Sequence, residues 1–401
     1  MDTGIRDEIL AKRNQIPKWV IFLFLGIAIV GFGTFALNAS GENAKDIWQI
    51  FLVNFLFWTG VAQAGIIFSC VLRVTDARWG RSFLRISEGF GAFVPIGFIL
   101  LLLLVFVGKD YVLPYATEHY HHPKDIWLNM AFVQARNIIA FAILIALSYA
   151  YVRISLNQDL IGNDNTKKDN GYFPRLRMLA PAIVIFYAIT FSFFSWDFMM
   201  SLNPHWFSTL FGPYYFMGSL IAAIGATIIL SVVLKRYLGL DDYLGQYHYW
   251  DMGKILQGFS LFWVYLMFSQ FLPIWYANMP EETGFVIKRV VDEPFKTFAW
   301  TVLTCCFIFP FVSLIPRTNK IVTPILVFIA AVSFTGLFMD KFLLVVPSLT
   351  DQLTFSIKYI LVTLGFLSAF LTTFLLFINK YPIIPYGDPF FDGKTGQGGH
   401  H

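Results

Sequence analysis

The sequence predicts an all-α integral membrane protein with about ten transmembrane helices, and three observations carry that prediction. Hydrophobic residues make up 57% of the 401-residue chain and charged residues only 13%, against about 45–50% and about 25% in a soluble domain. Phe alone contributes 45 residues, more apolar surface than a water-soluble fold of this size hides. The apolar residues also fall into runs of roughly 20, the length that crosses a hydrocarbon core of about 30 Å at 1.5 Å per residue.

Ten such runs lie near 18–38, 47–72, 87–107, 129–152, 178–196, 209–234, 254–276, 296–315, 320–340 and 355–379. They divide the chain into an N-terminal segment (1–17), a ten-helix transmembrane domain (18–379) and a C-terminal tail (380–401). The mostly polar N-terminal segment precedes a run too long for a signal-peptide core, so the first run reads as an uncleaved span. Trp19, Trp48, Trp127, Trp206, Trp275 and Trp300 sit near span ends, where interfacial aromatics belong. No sequence repeat stands out. Helices 2–5 and 6–9 are expected to form two four-helix bundles flanked by helices 1 and 10.

Orientation follows from Lys and Arg. With the N-terminus cytoplasmic, the inside segments hold 20 of them, including Arg73, Arg78, Arg81 and Arg85, while the outside loops hold 7. Both termini are therefore expected in the cytoplasm. The longest connections are an outside loop at 109–128 and an inside loop at 154–176, the latter polar and rich in Asn and Asp.

The residues also exclude chemistries. No basic run with interleaved aromatics points to nucleic acid. Cys70, Cys305 and Cys306 lie in apolar runs without iron–sulfur spacing and read as buried apolar side chains. None of the seven His residues falls mid-span, so the chain offers no paired axial ligands for a membrane haem. HYHH at 119–122 reads as a solvated loop rather than a metal site. No Walker loop or dinucleotide fingerprint appears.

Ionisable residues at membrane depth are costly and therefore informative. Arg136 lies about 10 Å inside helix 4 from its outer end. Asp197 ends helix 5, Asp340 and Lys341 close helix 9, and Lys358 opens helix 10, all on the outer side. Glu281 and Glu282 follow helix 7 there too. Only Glu88 and Asp251 sit near inner ends, so the outer half reads as the polar half. Each of these residues also admits a plain reading as an interfacial charge that snorkels or caps a helix. Arg136 and Asp197 either neutralise each other or belong to a proton or quinol site. The connection SLNPHWFSTLFG (201–212) has no Lys or Arg, and suits a partly buried hairpin pressed onto the outer surface.

The string SWDFMMSLNPHWFSTLFGPYYFMG (195–218) resembles the quinol:cytochrome c oxidoreductase membrane subunits of bacterial alternative complex III. FSQFLPIWYANMPEETG (268–284) looks like a second hallmark of that family. The resemblance covers most of the chain, and the modest length is similar to the family's F subunit; wider relatives are NrfD-like and polysulfide-reductase-like membrane subunits. It implies a non-catalytic subunit in the bacterial cytoplasmic membrane, without bound redox cofactors. Haem c and iron–sulfur clusters are then expected in partners, with menaquinol or another quinol as substrate of the complex. The implied partners are a homologous larger membrane subunit, a periplasmic iron–sulfur subunit, multihaem cytochrome c subunits and a terminal oxidase. The resemblance also implies a part in proton translocation, for which Asp197, Arg136, His205, Glu281, Glu282 and Asp340 are the candidate residues. Two other readings stay open: a quinol-binding catalytic subunit of the same kind of complex, and a secondary transporter with broken helices, for which Pro95, Pro181 and Pro310 are the interruptions.

Overall fold

A computed structural model describes residues 3–41, 44–117, 124–160, 171–203, 206–353, 355–391 and 393. Among them ten helices are long and apolar enough to cross a membrane: α1 (Lys18–Asn38), α2 (Ala44–Val74), α3 (Arg81–Val112), α4 (Met130–Asp159), α5 (Tyr172–Leu202), α6 (Phe211–Leu238), α7 (Gln246–Ala277), α8 (Phe295–Ser313), α9 (Thr323–Leu349) and α10 (Ile357–Lys380). No strand occurs among the described residues, and the all-α polytopic fold is the one the sequence predicts. Helices are what lipid demands, because each backbone N–H and C=O must find a partner inside its own segment.

Several helices outrun the apolar runs. α3 begins at Arg81 rather than near 87, α4 continues to Asp159 rather than 152, and α7 begins at Gln246 rather than 254. A hydropathy window ends where polar residues begin, whereas a helix continues as long as those residues find partners in protein. This difference matters most at Arg81, Arg85 and Asp159.

α2 is the axis of the molecule. It packs on α3, α5, α6, α9 and α10, and 94% of its most apolar stretch is buried, against 22% for α1, α7 and α8. α6 is the second inner helix, in contact with α2, α5, α7 and α9. Around these two, α3 packs on α4 and α4 on α5, while α7 packs on α8 and α8 on α9. Side chains such as Phe22, Ile139 and Phe328 point outward from the peripheral helices.

α1 and α10 pack closely on each other. Gly31 and Gly365 let their backbones touch, since a Cβ on Gly365 would lie 2.8 Å from the Gly31 Cα. Small residues at such a crossing are the usual means of close packing in lipid, where helices gain nothing from escaping water.

The first and last described segments meet at one end of the molecule, here the terminal end. The Asn14 N–H donates to the Asn379 carbonyl at 3.2 Å, and the Arg13 guanidinium donates to the Lys380 carbonyl at 2.6 and 3.0 Å. Residues 381–391 then turn back beneath the bundle and bury Ile383, Ile384, Tyr386 and Asp388.

At the far end a short helix, Pro280–Val290, joins α7 to α8. Its Arg289 is buried without a carboxylate partner among the described residues and donates instead to the carbonyls of Leu343, Leu344 and Phe285 and to the Ser348 hydroxyl. Pro347, inside α9, explains the choice. Proline has no N–H for the carbonyl four residues back, which is Leu343, and Arg289 Nε satisfies that oxygen at 3.1 Å. Burial pushes the Arg289 guanidinium down from its ordinary range, while the C-terminal end of α9 attracts a cation.

Candidate functional site

Charged groups cost several kcal/mol to bury unless they are paired and hydrogen-bonded, so buried ionic clusters mark where this fold departs from plain packing. There are three among the described residues.

The first joins α4 to α5 at the far end. Arg136 Nε donates to Asp197 Oδ2 at 2.9 Å, and Nη2 donates to Oδ1. This two-pronged geometry is the strongest form of the pair. Asn137 adds a bond to Asp197 Oδ2 at 2.6 Å, and Arg136 Nη1 reaches the Trp127 carbonyl at 2.7 Å. The guanidinium lies 3.9 Å from the centre of the Trp127 ring, an arrangement that favours a desolvated cation. Asp197 has no exposed surface.

The second joins α6 to α9. Asp340 and Lys341 are adjacent in sequence and each 1% exposed. Lys341 Nζ donates to Asp340 Oδ2 at 2.8 Å, and the Tyr214 hydroxyl donates to Oδ1 at 2.5 Å. The ammonium also lies 5.1 Å from the Tyr215 ring centre.

Of the other sequence-predicted residues, Glu281 is exposed and Glu282 half-buried. Both sit in the first turn of the Pro280–Val290 helix, where the helix dipole favours carboxylates, apart from either cluster. His205 and the HYHH motif lie outside the described residues.

The third cluster is the largest and lies at the terminal end, where only Glu88 and Asp251 stood out in the sequence. It corrects the expectation that the outer half is the polar half. Arg73 closes α2; Arg81, Arg85 and Glu88 line the start of α3; Tyr151, Ser155 and Asp159 come from the end of α4; Asp388 comes from the C-terminal segment. All are at most 2% exposed. Arg73 donates to Asp388 Oδ2 at 2.7 Å, to the Tyr151 hydroxyl at 2.9 Å and to Ser155 Oγ at 2.9 Å. Arg85 Nε donates to Asp159 Oδ2 at 2.9 Å, and its Nη1 and Nη2 bind Glu88, Ser155 and Asp159. Ser69 and Ser155 both donate to Glu88 Oε1, at 2.8 and 2.9 Å. The Gly387 N–H reaches Asp159 Oδ1 at 2.9 Å.

Three arginines thus meet three carboxylates, and the cluster is neutral overall. Arg81 is the least satisfied member. Its Nη1 reaches Asp388 Oδ2 only at 3.4 Å, while Nε and Nη2 are buried with no partner among the described residues.

The sequence carried a signal for part of this. Arg81, Arg85 and Glu88 are spaced i, i+4, i+7 and so share one helix face, and a face of that kind at the mouth of an apolar run suggests an ionic seam. Counting those arginines as loop charges hid it. Nothing local pointed to Asp388, which lies 315 residues from Arg73.

Between the two ends, α2 carries a buried polar side chain every few residues: Gln49, Asn54, Thr59, Gln63, Ser69 and Arg73. Gln63 donates to Ser148 on α4 at 2.8 Å, whereas Gln49 Nε2, Thr59 Oγ1 and Gln63 Oε1 have no partner among the described residues.

Ten membrane-length helices and charges sequestered in pairs define a multi-pass integral membrane protein. No family model matches the chain, and no curated protein matches it.

Proposed function

We propose that this chain is a membrane subunit of a respiratory quinol:cytochrome c oxidoreductase of the alternative complex III kind, most like its F subunit. In this reading it lies in the bacterial cytoplasmic membrane with its terminal end in the cytoplasm. Its far end anchors periplasmic subunits that carry haem c and iron–sulfur clusters, and the chain contributes to proton translocation rather than to electron transfer.

One observation carries the reading. The two strings that resemble the family, 195–218 and 268–284, come together at the far end although they belong to separate connections. Ser208 Oγ donates to Gln270 Oε1 at 2.9 Å. Just past the second string, Phe285 stacks on Trp206 with centroids 3.7 Å apart. Phe207, Trp275 and Tyr276 remain exposed beside this junction, where a partner subunit would sit. The row of polar side chains on α2 supports the proton role, because groups without protein partners at depth are natural neighbours for water.

The test is gentle detergent purification through a tag on this chain, with haem spectra and quinol:cytochrome c activity read on the eluate. Co-purification with multihaem and iron–sulfur subunits, together with activity, is the expected result. A chain that emerges alone, colourless and inactive, under conditions that keep other respiratory complexes intact, overturns the proposal.

A further inference from the structure

A basic notch at the terminal end stands apart from the neutral clusters. Trp250, in the second turn of α7, is flanked by two cations: Lys254 Nζ lies 4.2 Å and Arg317 Cζ 4.6 Å from the ring centre. Lys320, in the short helix Arg317–Ile321 before α9, lies close enough to Lys254 to feel its charge. Its stem lies against α7 at Gly253, where an added Cβ would come within 2.9 Å of Lys320 Cγ. The missing side chain at 253 therefore lets the Lys320 stem reach this notch.

Among the described residues three cations here face one acid, Asp251, which pairs with Lys254 at 2.5 Å. Lys320 is only 8% exposed and has no hydrogen-bond or ion-pair partner among the described residues. Burial and the nearby Lys254 charge both push its ammonium below the usual lysine range. In the three clusters above each cation reaches at least one carboxylate, whereas Lys320 has its stem covered and its ammonium unanswered among the described residues. A group that holds like charges together, short of acceptors, beside an indole near the end of a membrane-length helix, where interfacial aromatics belong, has the composition of an anion site.

We propose that Lys254, Arg317 and Lys320, arranged around Trp250, bind a phosphate group, as presented by the headgroup of an anionic phospholipid. Lys254 and Lys320 supply point charges, Arg317 a planar fork that matches phosphate oxygens, and Trp250 the platform against which Lys254 and Arg317 rest. The acyl chains would follow the apolar surface of α7, where Leu261 and Tyr265 are exposed.

The test uses the full chain, delipidated in a neutral detergent, with short-chain phosphatidylglycerol as probe and phosphatidylcholine as reference, read by native mass spectrometry. Phosphatidylglycerol is expected to be retained preferentially. Each of Arg317→Gln, Lys254→Gln and Lys320→Met is expected to weaken retention about fivefold, the equivalent of about 1 kcal/mol per cation at a membrane surface. Arg317 and Lys254 are exposed, so those variants fold regardless of the site. Arg236→Gln, an exposed cation at the same end outside the notch, is expected to leave retention unchanged. Equal losses from Arg236→Gln and Arg317→Gln, or no preference over phosphatidylcholine, overturn the site. Competition by millimolar inorganic phosphate alone would keep the phosphate chemistry and overturn the lipid as its source.

Discussion

Replacing Asp388 with Ala removes the one carboxylate that the C-terminal segment gives to the terminal-end cluster. Arg73 then loses its 2.7 Å bond and Arg81 its only hydrogen-bond partner among the described residues. Three buried cations are left with two carboxylates. Removing one member of a buried ion network costs about 3–5 kcal/mol, because the other charges stay desolvated. With an unfolding entropy of about 2.1 cal/mol/K per residue, the 401-residue chain would lose about 4–6 °C in thermal midpoint. The assay is a thermal ramp in one detergent, followed by intrinsic fluorescence, on wild type, Asp388→Ala, Arg81→Met and the double variant. Arg81 already has two unpartnered nitrogens, so Arg81→Met should cost less than Asp388→Ala. The double variant restores charge balance and should recover part of the loss. A midpoint for Asp388→Ala within about 1 °C of wild type, or a double variant as low as the sum of the singles, would refute the charge-balance reasoning.

Three further outcomes follow from the same geometry. Arg136→Met strands the Asp197 carboxylate in a dry site and should cost about 3–5 kcal/mol, whereas Arg136→Met combined with Asp197→Leu should cost less; midpoints in detergent decide. Gly365→Leu should force α10 off α1 and destabilise by about 1–3 kcal/mol, while Gly26→Ala, which faces open space on α1, should be neutral or slightly stabilising. Arg289→Met leaves the Leu343 carbonyl unanswered and should cost about 1–3 kcal/mol, read as faster hydrogen exchange across 280–290 with the spans unchanged.

Much of the far-end chemistry was legible in the sequence. Arg136 and Asp197 stood out because each interrupts an apolar run, and they meet because α4 and α5 are consecutive antiparallel spans. Asp340 was legible for the same reason, but its partner Tyr214 was not, since a tyrosine in an apolar run looks like any other aromatic. The terminal-end cluster was hidden by the positive-inside pattern itself. Arg73, Arg81 and Arg85 fall where that rule expects solvated cytoplasmic charges, and composition alone does not distinguish a solvated arginine from a buried one.

By itself the sequence determined that the chain is a membrane protein, that it crosses about ten times, and that Arg136, Asp197 and Asp340 interrupt or close apolar runs. Those are consequences of run length and transfer energy, which are local quantities. Only the tertiary structure decided which helices are inside. α2, with a mean hydropathy of 1.8, is the buried axis, while α3 at 2.8 is less buried. Lipid and protein interior are both apolar, so hydrophobicity does not sort helices between them. The tertiary structure also decided the pairing of Arg73 with Asp388, 315 residues away. An ion pair is fixed by the distance between two charges in space, and the fold sets that distance.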